Sequence, residues 1–354
     1  MSKNETEQGT SGEPTSLVPN LPFKVRNVFP VRFAGENAAA WGLVAFLVLV
    51  VIVFSLSTDR FLTAANLGSM AVQLPELGLL TLAMLIPILS GGLNLAITFQ
   101  ANIAGLTLAA VLQAAGGAEA GPLAFAAGTA AALGVGAATG LAMGLVVAYS
   151  RAHPILVSLA MMIFLRGLGE YLTRGGDISG FPDYVAVLGH GSLLGIPVPL
   201  IIFTLAVVLW QVILGKTPLG FTTYMVGSNI EATRYSGINT RRVITLVYTL
   251  SGIMCAIAGI LMLARFNSVR VGHGEAYLLI TVLACFLGGV DPFGGFGRVL
   301  SVALALVILQ CLSSGLNLLG ANQHLATAVW GLFLIGVMVL RYSWTKWLLG
   351  GKWE

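Results

Sequence analysis

AAAWGLVAFLVLVVIVFSLS, residues 38–57, carries no charged side chain. A run of roughly 20 such residues is what an α-helix needs to cross the ~30 Å hydrocarbon core of a bilayer. Residues 1–37 before it are mostly polar and contain Pro14, Pro19, Pro22 and Pro30. The run is too long, and starts too far into the chain, for a signal-peptide core. It reads as a first membrane anchor that is retained, preceded by a disordered tail. Further apolar runs at about 67–89, 93–113, 122–148, 154–171, 198–214, 242–264, 275–290, 296–315 and 324–341 bring the expected number of spans to ten. The chain therefore predicts an all-α, polytopic membrane protein, with a tail at 1–37, a membrane domain at 38–342 and a second tail at 343–354. Composition agrees. Of 354 residues 57% are hydrophobic and 9% charged, against about 25% charged in soluble domains. The 44 glycines suit helices that pack closely in lipid.

The connecting segments test this count. Lys24, Arg26 and Arg32 precede the first span. Arg151 and His153 follow the fourth, Lys216, Arg234, Arg241 and Arg242 the sixth, Arg298 the eighth, and Lys346 and Lys352 the tenth. All fall on one side of a ten-span chain, which the positive-inside rule makes cytoplasmic, with both termini there. The opposite loops are poorer: 114–121 has no Lys or Arg, and 172–197 sets Arg174 against Asp177 and Asp183. One outer loop dissents, 265–274, with Arg265 and Arg270. The net charge of +4 is thus an orientation signal rather than a nucleic-acid site.

Several chemistries are disfavoured. Gly215-Lys216-Thr217 spells the end of a phosphate loop, but Trp210 stands where the first glycine belongs. ATP must be handled by another chain. Gly134, Gly136 and Gly140 lie inside an apolar run and read as helix packing. Cys255, Cys285 and Cys311 lie in apolar segments without CxxC spacing and read as buried thiols. His153, His190, His273 and His324 are scattered, so no metal or catalytic cluster is expected and no cofactor.

Two loops are long enough for a task. The outer loop 172–197, rich in Gly and Pro, predicts a wall or lid. The cytoplasmic loop 215–241 predicts a short helix near 229–236, capped by Ser228 or Asn229 and stopped at Gly237. Ile230, Ala232, Tyr235 and Ile238 are its apolar members. It suits a membrane surface or a groove on a partner equally. Within the spans charge is sparse. Glu76 follows Pro75, and Arg166 and Glu170 are spaced to share one helix face, as a brace or as the lining of a polar pathway. Ser90-Gly91-Gly92-Leu93-Asn94-Leu95 breaks the chain between the second and third spans. It is either an inner-side turn or broken backbone at membrane depth, and Asn94 and Gln100 bring amides suited to sugar hydroxyls. Gly288-Gly289-Val290-Asp291-Pro292-Phe293-Gly294-Gly295-Phe296-Gly297 reads as a rigid inner connector. Without a chain of buried acids, an ion-coupled secondary transporter is the less favoured alternative, followed by a channel and a scaffold.

Three of these stretches together resemble the permeases of bacterial ABC importers for ribose, xylose, arabinose, galactose and related monosaccharides. Ser90–Leu95 is similar to their Gly-Gly-Ile-Asp-Leu-Ser segment, Tyr224–Ile238 to their Gly-x-Asn-x-x-Ala-x-x-x-Ser-Gly-Ile loop, and Gly274–Gly297 to their late glycine-rich region. The resemblance covers about residues 38–342. It implies an ABC-permease fold in the bacterial inner membrane, a second permease copy or paralogue, a pair of cytoplasmic ATPases and a periplasmic sugar-binding protein. It also implies that Gly227, Asn229, Glu231, Ala232, Arg234, Ser236 and Gly237 form the coupling element on the ATPase. Asn94, Gln100, Glu76 and Arg166 are the expected pathway residues. The chain departs from the pattern in having Asn94 where the family has Asp, and Ala96-Ile97-Thr98 in place of Ser-Val-Gly. A sugar, a polyol or a sugar-like signal molecule fits this reading.

Overall fold

The computed structural model describes residues 30–150 and 152–322, with a discontinuous set between 325 and 339. The packing below is that of the described residues from Ala40 onward. The helices are α1 Pro30–Ser57, α2 Ala64–Leu89, α3 Ile97–Ala114, α4 Pro122–Ser150, α5 Pro154–Thr173, α6 Asp183–His190, α7 Val198–Lys216, α8 Pro218–Ser228, α9 Ile230–Tyr235, α10 Thr240–Phe266, α11 Tyr277–Leu287 and α12 Val299–Leu318. Among the described residues eight are long and apolar enough to cross a membrane: α1 to α5, α7, α10 and α12. They coincide with eight of the ten expected spans. The stretch expected as a span at 275–290 holds a shorter helix, α11, of 11 residues, which rises about 16 Å; the chain nevertheless runs here from Ser268–Val269, paired with Ile178–Ser179, to Gly294 and Gly295, packed against Gly91 and Gly227. Gly288, Gly289 and Pro292 stop α11 at one end. The tenth expected span, 324–341, and the tail 343–354 fall largely or wholly outside the described residues.

Burial ranks the helices. The most apolar window of α2 is 89% buried, against 11% for α1 and 17% for α5. α2 is therefore the central post, and Leu74 to Leu89 are buried on every side. α1, α5 and α7 instead present Val48, Ile52, Ile163, Phe164, Leu205 and Val208 outward, as lipid-facing helices do.

The most extensive crossing is α4 on α10. A Cβ on Gly136 would come within 2.5 Å of the Gly252 carbonyl oxygen, and one on Gly144 within 2.9 Å of Thr245 backbone. Gly140 sits in the same way against Tyr248, and Gly252 against Gly136, whereas Gly134 has open space. Spaced four apart, Gly136, Gly140 and Gly144 form one smooth stripe that brings the two backbones into contact.

At the α6 end of the bundle the loop 172–197 is a fixed wall. β1 (Ile178–Ser179) pairs with β4 (Ser268–Val269), and β2 (Ser192–Leu193) pairs with β3 (Ile196–Pro197). Asn267 Oδ1 accepts from the Phe181 amide at 3.1 Å, and the Tyr184 hydroxyl lies 3.0 Å from the Ala120 carbonyl. Gly189 of α6 lies so close to α10 that a Cβ would be 2.5 Å from Arg265 Cα.

Gly252→Val is expected to destabilise the bundle by about 1–3 kcal/mol or more, because neither backbone can retreat. The thermal melting of detergent-solubilised protein checks this. An unchanged midpoint would mean that the α4–α10 crossing yields.

Candidate functional site

At the opposite end, three chain segments meet backbone to backbone. A Cβ on Gly227, the penultimate residue of α8, would overlap the Leu89 carbonyl and lie 2.5 Å from the Gly295 amide nitrogen. One on Gly294 would lie 2.6 Å from Gly91 N. The Gly295 amide donates to the Leu89 carbonyl at 2.9 Å. Gly91 and Gly294, at φ +83° and +93°, occupy the left-handed region that side chains avoid. The end of α2, the α8–α9 loop and the connector before α12 are thereby one junction. The Tyr224 hydroxyl adds a bond to the Gly297 carbonyl at 2.9 Å, and burial pushes its pKa up, so it remains a neutral donor.

α9 projects from this junction. Asn229 caps it, its Oδ1 accepting from the Ala232 amide at 2.9 Å, and Gly237 ends it at φ +82°. Thr233 is buried; Glu231, Ala232, Arg234, Tyr235, Ser236 and Gly237 are exposed, Tyr235 at 90%. Glu231 and Arg234 pair with each other at 3.3 Å on the surface. Ile238, expected among the outward apolar members, instead packs on the core. α8 was not foreseen. Its local signal is Thr217-Pro218, an N-cap followed by proline at the first turn, with Thr217 Oγ1 accepting from the Gly220 amide at 3.3 Å. A groove of about 490 Å3 opens beside α9, lined by Gly91, Gly92, Val226, Ser228, Ile230 and Tyr248. Tyr248 closes its inner end, donating to the Leu93 carbonyl at 3.2 Å.

Beyond Tyr248 lies Asn94. Its Nδ2 donates to Gln100 Oε1 at 2.9 Å and to Ser251 Oγ at 2.8 Å, and its Oδ1 accepts from the Ala96 amide at 3.0 Å. Ser251 in turn donates to the Ala83 carbonyl at 2.7 Å, and Gln100 Nε2 to Thr139 at 3.3 Å. Ala83 precedes the end of α2 by six residues, about 9 Å. The segment 90–96 therefore climbs back into the bundle, and α3 begins at mid-depth. Of the two readings of this break, the structure has broken backbone at depth, facing protein as the absence of water requires.

Asn94 and Gln100 thus come together, and both are fully buried. Glu76 and Arg166 lie elsewhere. Glu76, also fully buried, pairs with Arg265 of α10 at 2.7 Å. Arg265 breaks the charge pattern of the outer loops because it is the partner of an intramembrane acid. The anomaly was the legible signal for this pair. Arg166 is half exposed and bridges Glu170 at 3.0 Å and Glu275 at 3.3 Å, tying α5 to the segment before α11.

A bundle of apolar helices, with a short capped helix at one end and a polar break within it, is the frame of a polytopic membrane protein. Residues 66–340 match the family described as branched-chain amino acid transport system / permease component. The ribose import permease protein of Escherichia coli K12 is 34% identical over 80% of this chain and 87% of its own length. That of Bacillus subtilis is 33% identical over 83% and 90%. The autoinducer 2 import system permease protein of Yersinia enterocolitica is 30% identical over 88% and 92%. No solved structure gives a significant match. The chain belongs to the permease family of ABC sugar importers. It is a multi-pass subunit in the bacterial inner membrane and transports rather than catalyses.

Arg265→Met is expected to cost about 3–5 kcal/mol, by leaving the Glu76 carboxylate buried without its counter-charge. The double variant Glu76→Leu/Arg265→Met should recover most of the loss. Melting of the two proteins checks both; a double variant as unstable as the single one would show that packing, not charge, carries the contact.

Proposed function

We propose that this chain takes a monosaccharide or related polyol from a periplasmic binding protein and passes it through the membrane, driven by ATP hydrolysis on partner subunits. Two permeases, identical or paralogous, dock on a pair of cytoplasmic ATPases through α9. The α9 end is the cytoplasmic end, where the basic loops lie, and both termini are on that side. The relatives, ribose and autoinducer 2 import permeases, support a small polyhydroxylated solute. The family description names amino acids; the buried pathway groups Asn94 and Gln100 are neutral, which suits an uncharged solute better.

One observation carries the reading. α9 is a six-residue helix, too short to persist alone, yet its Ala232 and Tyr235 face outward while Gly227 locks its base to α2 and to the turn before α12. Such a helix has the form of a lever that needs a surface to rest on. Closure of the ATPases on ATP would displace α9. The junction would carry the movement to the 90–96 break and to α12, alternating the access of the pathway. An ion-coupled secondary transporter would have no use for this element.

Ala232→Arg places a bulky charge on the exposed face without touching the bundle. It is expected to leave membrane insertion intact, to weaken copurification of the ATPase and to lower ATP-dependent uptake of the transported sugar at least tenfold, a change of about 1.4 kcal/mol. ATPase binding and uptake at parental levels would remove α9 from the coupling role. Uptake that persists without ATP but collapses with the ion gradient would favour the secondary transporter.

A further inference from the structure

We propose that Thr98 and Asn102, one turn apart on α3, are the side chains that hydrogen-bond the solute as it passes the middle of the bundle. This deepens the sugar-transport reading and rests on it. Both residues are buried, at 1% and 3% exposure. Among the described residues, Thr98 Oγ1 and Asn102 Nδ2 meet no hydrogen-bond partner. Helical threonines elsewhere in the chain close onto the carbonyl four residues back, as Thr81 does on Leu77, Thr107 on Ile103 and Thr249 on Thr245. The residue four before Thr98 is Asn94, which lies in the break. The break that starts α3 at mid-depth thus also strips Thr98 of its local acceptor.

The two groups share a helix face by their i, i+4 spacing. On one flank Ala101 and Gly105 pack against Gly259 of α10. On the other, Phe99 lies under the Arg166 guanidinium at 5.8 Å and Ile103 meets Gly169 of α5. Gln100 and Leu108 occupy the α4 side. Thr98 and Asn102 therefore look between α5 and α10, and α2 and α11 also approach α3. The other buried polar atoms without partners, on Ser55, Glu76, Thr129 and Trp210, lie on four separate helices. Among the described residues, α3 alone sets two on one face.

A hydroxyl that donates and accepts, beside an amide that donates, suits a polyhydroxylated neutral solute. Neither is charged, so the contact favours entry without holding the solute. Asn94, whose polar atoms are already engaged, is a positioning residue for this face.

The test uses the whole importer, with ATPase and binding protein, in proteoliposomes. Thr98→Val and Asn102→Leu keep shape and remove polarity. D-ribose, D-xylose, L-arabinose and D-galactose are tried first to choose the sugar that the parent carries, together with a deoxy analogue of it. Uptake of that sugar is expected to fall roughly five- to tenfold for each variant, and uptake of the deoxy analogue to fall less. The melting temperature should hold or rise, because each change removes an unpaired buried polar group. Parental uptake, or a melting temperature that falls in step with uptake, overturns the inference. A parental complex that carries none of the four sugars overturns the sugar reading, and this inference with it.

Discussion

Backbone-to-backbone contact among Gly91, Gly227 and the Gly294-Gly295 pair is the constraint on which the working parts of this permease depend. Side chains deform when pushed; main chain pressed on main chain does not. A displacement of α9 cannot be absorbed locally, since its base has no soft layer beneath it. In the coupling role proposed above, it would pass to the end of α2 and to the segment that leads into α12. The same contact supports α9 itself, because a six-residue helix has too few internal hydrogen bonds to hold its shape in water.

From that junction the 90–96 segment runs back into the bundle, and its polar atoms have to be satisfied there. Water is unavailable at that depth, so each unsatisfied group costs several kcal/mol. Asn94, Gln100, Ser251, Thr139 and the Ala83 carbonyl meet this need through one another. The fold thus holds a non-helical stretch at mid-depth while Tyr248 keeps it apart from the groove at the α9 end. At the α6 end the constraint is ionic. Glu76 and Arg265 bind α2 to α10 beneath a wall already pinned by Asn267 and Tyr184. The central post is therefore held at one end by glycine contact and at the other by charge.

Much of this was legible in the sequence because it is local. Length and hydropathy define the spans, Asn229 and Gly237 mark α9, and the spacing of Gly136 and Gly140 announces a packing stripe. What was illegible is the pairing of distant segments. The glycine pairs at 91–92 and 294–295 each mark a break in the chain, but nothing in either says that they touch, or that Gly227 lies between them. The apolar run at 275–290 is longer than α11, because Gly289 at φ +82° ends the helix while the run continues to Val290. α6 is hidden in a Gly- and Pro-containing loop because its eight residues, with Val185, Val187 and Gly189 among them, have little helix propensity of their own and rest on Arg265 and Ala264 behind them. For the pathway, sequence singled out the polar residues that stand out in apolar runs. Structure separates those whose bonds are complete, such as Asn94, from those whose bonds are not.

The departure at Asn94 has a structural correlate. Its Nδ2 donates two bonds, to Gln100 Oε1 and to Ser251 Oγ. Neither recipient is free to change role without cost. Gln100 Oε1 also accepts from the Cys255 thiol at 3.7 Å while its Nε2 serves Thr139, and the Ser251 proton is committed to the Ala83 carbonyl. A carboxylate at 94 would set oxygen against oxygen at both contacts. It would require Gln100 to turn over, breaking its fit to Thr139 and Cys255, or Ser251 to abandon Ala83 on the central post. The amide at 94 is therefore matched to Thr139, Ser251 and Cys255 as a set. The polar network around Asn94 is thus organised without charge.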